Sequence, residues 1–266
     1  MEFRVLGSVE AADGDRLVVW GAGKPAELLG ILLTRANQAV SAASLIDDLW
    51  DYDPPKTASK TLQTYISQLR RQLGDTVIVS VPKAYRLAAD AHALDAARFH
   101  EQLESGRSAL QRGDPQSAAG SLRGALALWR GPAFEQFGTR PWALVPAERL
   151  EKARLEAREL RIEADIALGS HGGVIAELET LIGAHPYREH LTALLMVALY
   201  RSGRQAEALE VCRLARHRML DQLGIDAATE LAELERQILV QDPVLAAPAP
   251  RPVAVSAAAQ HPVTAE

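Results

Sequence analysis

Lys60, Thr64, Ser67 and Arg71 recur at steps of four, three and four residues, with Gln63 and Gln68 beside them. On a helix that spacing gathers ammonium, guanidinium, hydroxyl and amide groups on one face. Such groups hydrogen-bond base edges and phosphate oxygens in a major groove. The opposite face carries Ala58, Leu62, Ile66, Leu69 and Leu73, with Tyr65 at its edge. That set predicts a helix over 57–73 with one buried stripe and one face of donors. A solvated amphipathic helix would show the same charge pattern, so the neighbouring elements must decide between them.

Charge is concentrated around this helix. Between Lys56 and Arg86 the basic residues are Lys56, Lys60, Arg70, Arg71, Lys83 and Arg86, against one acid, Asp75, while the 266-residue chain has a net charge of −5. A basic stripe on an acidic chain points to a local anionic partner. Upstream, Val40-Ser41 precedes a short predicted helix over 42–50 with Leu45, Ile46, Leu49 and Trp50 inward and either Ser41 or Ser44 as its N-cap. Asp51-Tyr52-Asp53-Pro54-Pro55 then breaks the chain. Downstream, Gly74 suits a helix end. Thr76–Ser80 and Tyr85–Ala88 read as strands of a hairpin with Val81-Pro82-Lys83-Ala84 at its tip. Helix, turn, longer helix and β-wing is the order of a winged helix-turn-helix. Before it, Phe3 with Val5 and Leu17–Trp20 suggest short strands separated by a turn over Ala11–Asp15, and Leu28, Leu29, Ile31, Leu32 and Leu33 suggest a helix.

Composition narrows the function classes. At 48% hydrophobic and 24% charged the chain is ordinary globular material, long enough for two domains. Its longest nearly continuous apolar run, Leu191–Tyr200, is shorter than the roughly 20 residues that span a bilayer. No charged segment with an apolar core follows Met1, so no signal peptide is expected. One cysteine, Cys212, excludes an internal disulfide framework, fits a reducing cytoplasm, and lies in an apolar helical pattern with Leu209. The seven histidines show no metal-ligand spacing, and no Gly-x-Ser-x-Gly element is present. Gly21-Ala22-Gly23-Lys24 is not a phosphate loop, because Val18 and Pro25 stand where a glycine and a hydroxyl residue are required. Neither an enzyme nor a cofactor is expected.

From Leu94 the periodicity is helical: 95–112, 115–128, 146–168, 173–184, 189–201, 205–223 and 229–239. A faint repeat aligns Ala167-Leu168, Gly172 and Glu177-Leu178 with Ala198-Leu199, Gly203 and Ala208-Leu209; Gly113 with Ala118 echoes the same turn. Helix, glycine turn and helix with small residues at the crossing is tetratricopeptide-like, with a plain helical bundle as the alternative. The Ala- and Pro-rich end, 244–266, is expected to be disordered.

Several stretches together resemble a family. They are Phe3-Arg4-Val5-Leu6-Gly7, Leu45-Ile46-Asp47-Asp48-Leu49-Trp50, the run Thr61 to Arg71, Ala127-Leu128-Trp129-Arg130-Gly131-Pro132, the run Ala198 to Leu209, and Leu223-Gly224-Ile225-Asp226. In this order they are similar to the Streptomyces antibiotic regulatory protein family, an OmpR-type winged helix followed by a bacterial transcriptional activation domain. The resemblance implies a mostly α chain with a small α+β N-terminal domain: a winged helix over 1–92, an all-α tetratricopeptide-like domain over 93–243, and the tail. It implies a cytoplasmic, nucleoid-associated activator of an antibiotic gene cluster. Members bind direct repeats in promoter DNA near the −35 element as dimers or higher oligomers, and recruit RNA polymerase holoenzyme through sigma factor region 4 and core subunits. Carried onto this chain, the recognition helix presents Lys60, Thr61, Gln63, Thr64, Ser67, Gln68, Arg70 and Arg71. Ser41, Ser44, Lys83, Tyr85 and Arg86 serve the backbone and wing, and Asp51, Tyr52, Asp53, Pro54 and Pro55 face polymerase. Two departures stand out: Glu27 where a basic residue is usual near the Pro-Lys, and Ala84 in place of the wing glycine. They leave a second reading, a helical scaffold whose N-terminal domain no longer reads a specific site.

Overall fold

The computed structural model describes residues 1–246 apart from 15, 20–22, 52, 227 and 228. Trp20, Tyr52, two glycine-loop residues and the tail beyond Ala246 therefore lie outside the described residues. Among those described the chain is mostly helical and divides into two compact units, Met1–Ala164 and Asp165 onward.

The first unit opens with an antiparallel meander of β1 (Glu2–Arg4), β2 (Glu10–Asp13) and β3 (Arg16–Val19). Strand β2 corrects the expected turn over Ala11–Asp15: Ala11 pairs with Phe3 and Val18, and Ala12 pairs with Glu2 and Leu17. Both alanines are buried, but their small side chains leave no hydrophobic alternation to read. Helix α1 (Lys24–Thr34) is buried from Ala26 to Leu33, and a short β4 (Val40–Ser41) leads into α2 (Ala42–Trp50). Helix α3 (Ala58–Leu73) buries Ala58, Leu62, Ile66, Leu69 and Leu73, the stripe expected of it. Strands β5 (Ile78–Val81) and β6 (Ala84–Leu87) form the wing, and β4 completes a sheet ordered β4-β6-β5.

The hydrophobic core does not stop at residue 92. It runs from Phe3 through Phe99, Leu122 and Trp129 to Ala164. The reason lies in the family-like stretch Phe3–Gly7, which bonds to the stretch Ala127–Pro132 and the residues just after it: the amides of Arg130, Phe134 and Glu135 donate to the carbonyls of Leu6, Val5 and Gly7 at 2.8, 2.9 and 3.1 Å. Gly7 has φ +142, and a β-carbon there would lie 3.1 Å from Arg130 Cβ, so this approach requires glycine. Asp95, 2% exposed, accepts from the amides of Val5 and Leu6 at 2.9 to 3.0 Å, and Arg130 Nη2 lies 3.5 Å away. Burial raises the Asp95 pKa above the usual carboxylate value, although the two amides and Arg130 pull it the other way.

Helices α4 (Asp95–Gln111) and α5 (Pro115–Ala127) pack as a hairpin in the first unit. Their crossing is close at Gly106, where a β-carbon would collide with Leu122 at 2.4 Å. Helix α6 (Pro141–Ala167) begins five residues before the expected Pro146. The helix-starting proline is Pro141 rather than Pro146, which lies inside the helix. In the second unit follow α7 (His171–Ala184), α8 (Glu189–Arg201), α9 (Gln205–Leu223) and α10 (Thr229–Leu239). Helix α8 packs on α7 and α9, and α10 packs on α8 and α9.

The hairpin turns share one construction. Gly113, Gly169 and Gly203 have φ of +72°, +91° and +77°. Each donates its amide to the carbonyl three residues back, and the next residue donates to the carbonyl five back, the two bonds of a Schellman turn. Gly169 and Gly203 are 34 residues apart, the tetratricopeptide period. The sequence alignment of Gly172 on Gly203 is therefore corrected: Gly172 lies inside α7, and Gly169 makes the turn. Gln241, with φ +52, repeats the construction after α10. It leads into a 3-10 turn, Pro243–Leu245, in which Leu245 is buried, so order extends into the first residues of the expected disordered tail.

Candidate nucleic-acid interface

Helix α3 is fixed on one side by its buried stripe and by Tyr65, which stacks on Trp50 of α2 at 6.5 Å. The other side exposes Lys60, Gln63, Thr64, Ser67, Gln68 and Arg71. Thr61, half-buried, stands at the margin of that face. The hydroxyls of Thr61, Thr64 and Ser67 donate to the carbonyls four residues back, at 3.1, 3.1 and 2.9 Å. Their lone pairs thus point outward as acceptors between the cationic donors. Lys60, Arg71, Lys83 and Arg86 enter no ion pair among the described residues. A strip of unneutralised cations and adaptable hydroxyls is suited to a polyanion with patterned edges.

Arg70 is placed differently from its neighbour. Its guanidinium donates from Nε and Nη2 to the carbonyl of Ile78, at 2.8 and 2.6 Å, and from Nη2 to Ser80 Oγ at 2.8 Å. The structure thus uses Arg70 to brace the wing against α3 and does not bring it onto the open face.

The wing turns through Pro82-Lys83, with Val81 opposite Ala84. Positive φ falls on Lys83, at +58°, and not on Ala84. Proline followed by a residue with positive φ has the form of a type II turn, so Ala84 needs no glycine-like conformation. Lys83 stands exposed at the tip, and Arg86 is exposed along β6. Tyr85 occupies the central strand between Val40 and Ser80, half-buried against the core.

The start of α2 is largely committed internally. Ser41 is the N-cap, accepting from the amide of Ser44 at 3.0 Å, and the Ala42 amide donates to the carbonyl of Lys83. Ser44 is half-buried and its hydroxyl accepts from Arg35 Nη1 at 3.1 Å. The amides of Ala42 and Ser44, at the helix start where Ser41 and Ser44 are expected to serve the DNA backbone, are therefore bonded within the protein. Arg35 also pairs with Asp48 at 2.5 Å.

Between the two helices, Asp51, Asp53, Pro54 and Pro55 are exposed, while Tyr52 is outside the described residues. Asp51 ends α2 in the left-handed conformation with φ +50. Glu27 does not face outward at all. It is 3% exposed and accepts from Arg140 Nε at 2.5 Å, Trp142 Nε1 at 3.1 Å and Lys24 Nζ at 2.9 Å. The departure at Glu27 thus serves packing within the first unit. Arg140 and Trp142 lie more than a hundred residues downstream, a pairing to which no local spacing points.

Comparison with known proteins identifies the family to which both parts of the chain belong. Residues 94–239 match the bacterial transcriptional activator domain family, and residues 18–86 match the family described as transcriptional regulatory protein, C terminal. DnrI, a regulatory protein of Streptomyces peucetius, is 34% identical over 91% of this chain and 93% of its own length. The chain belongs to the Streptomyces antibiotic regulatory protein family. AfsR of Streptomyces griseus is 40% identical over 95% of this chain, which spans 26% of that larger regulator. The solved structure of Mycobacterium tuberculosis EmbR, in complex with a low-affinity phosphopeptide, superposes with a TM-score of 0.85 at 33% identity. It covers 91% of this chain and 65% of its own. The chain therefore has the fold of that family, a winged helix and a tetratricopeptide-like helical region. Among the described residues no helix is long and apolar enough to cross a membrane, and no cluster suited to a metal ion occurs.

Proposed function

We propose that this protein is a sequence-specific activator of an antibiotic or other secondary-metabolite gene cluster, acting in the cytoplasm at the nucleoid. The winged helix, 1–92, docks α3 in the major groove of promoter DNA. Lys60, Gln63, Thr64, Ser67, Gln68 and Arg71 meet bases and phosphates, with Thr61 at the edge. Lys83 and Arg86 follow the adjacent backbone, and Ser41 approaches it from the start of α2. Subunits bind side by side on direct repeats near the −35 element. The loop Asp51–Pro55 and the helical region, 93–243, engage sigma factor and RNA polymerase. The observation that carries this reading is the α3 face of unpaired cations and hydroxyls, held beside a wing with a cationic tip.

The test is binding of the purified protein to the promoters of its neighbouring genes across a salt series, with random DNA as competitor, followed by transcription in vitro. Specific binding should weaken with a log–log slope of about −0.9 per phosphate neutralised, and transcription should rise with added protein. Weak binding indifferent to sequence would instead identify a helical scaffold that has kept the fold and lost its operator.

A further inference from the structure

Arg140 lies in the stretch before α6, within the region matched by the activator domain, yet among the described residues every acceptor of its guanidinium belongs to the winged helix. Nε donates to Glu27 of α1 at 2.5 Å, Nη1 pairs with Asp51 at 3.1 Å, and Nη2 donates to the carbonyl of Leu49 at 3.3 Å. Helix α2 has no basic residue in its last turn. Arg140 and Lys24, which also donates to the Leu49 carbonyl, supply from outside the cations that its C-terminal carbonyls favour. Asp51 is both the left-handed cap of α2 and the first residue of the loop to α3.

We infer that Arg140 is a positioning residue, through which the helical region sets where the Asp51–Pro55 loop leaves α2. The inference rests on the assignment of that loop to polymerase. Glu27 fixes the guanidinium from the buried side, where Trp142 shares its Oε1. The remaining face of Arg140 is then directed at Asp51, which is exposed and has no other ion pair among the described residues. Loop position is thereby set by the activator domain, while the open face of α3 is untouched.

The experiment uses the full chain on a promoter it binds, with Arg140→Gln, Arg140→Lys, Asp51→Asn and the double variant Arg140→Gln/Asp51→Asn. It reads operator affinity, transcription in vitro and hydrogen exchange at Asp53, whose amide donates to the Trp50 carbonyl at 3.0 Å. Arg140→Gln and Asp51→Asn should each lower transcription about fivefold and leave operator affinity within about twofold, with the double no lower than the weaker single. Exchange at Asp53 should quicken in both, and Arg140→Lys should recover part of each effect. Full transcription in Arg140→Gln, or equal losses of transcription and operator affinity, would overturn the inference. Should Arg140→Gln fail to fold because Glu27 loses a partner, Asp51→Asn decides alone: normal transcription with unchanged exchange refutes the role. If the wild type itself fails to activate, the proposed function falls, and exchange at Asp53 still judges Arg140.

Discussion

Arg70 holds the carbonyl of Ile78 with two guanidinium nitrogens, while Arg71, one residue on, points into the open. Adjacent residues with the same side chain thus have separate roles, one joining the wing to the helix and the other left for a partner. Arg70→Ala should free the wing, raising amide exchange across Ile78–Leu87 and weakening binding to all DNA sequences alike. A change confined to one operator position would mean that Arg70 reads a base.

Arg71→Ala should behave differently. If Arg71 reads a base, the loss on the cognate site should be about 1 to 3 kcal/mol, with relaxed preference at one base pair. Competition against operators randomised one position at a time measures this. An equal loss on every sequence would assign Arg71 to a phosphate.

Asp95 ties the first strand to α4 and gives a pH signature. Because its folded-state pKa is raised by burial, proton uptake favours the folded state. Its contribution is complete below the unfolded carboxylate value and is lost as pH rises through the folded one. Asp95→Asn should cost about 1 to 3 kcal/mol at neutral pH, since one amide oxygen cannot replace two carboxylate oxygens facing backbone N–H groups. As pH falls through the raised pKa, the wild type should gain further on the variant until the unfolded value is passed. Urea midpoints of both proteins across the acid range measure the difference, and a gap that narrows on acidification would contradict it.

Gln241 occupies a turn position that three other turns give to glycine. Gln241→Gly should stabilise the second unit by about 0.5 to 1 kcal/mol, because relief of left-handed strain exceeds glycine's added chain entropy. Gly203→Ala should destabilise it by a similar amount. Thermal unfolding of the two variants should shift in opposite directions.

Helical parts of the chain were legible where the apolar spacing is long and regular. The buried stripe of α3 and the spans of α8, α9 and α10 follow from it directly. Strand β2 was not legible because Ala11 and Ala12 carry too little side chain to mark an inward face. The repeat was read three residues out of register because Gly172 is as plausible a turn residue as Gly169 until helix ends are known. Most of the candidate interface could be read, since exposure of Lys60, Thr64, Ser67 and Arg71 is a matter of helix phase. The inward turn of Arg70 and Glu27 could not, because their acceptors and donors come from other elements.

The Schellman turns have one more implication, for chain length. In each, the residue after the glycine already precedes the next helix, so three residues join two helices with no slack. One inserted residue there would rotate the following helix by about 100°, turning its buried stripe away from its neighbour. Deletion would do the same in the opposite sense. These turns should therefore admit neither insertion nor deletion, and the helices they join behave as units of fixed reading frame, not adjustable in length.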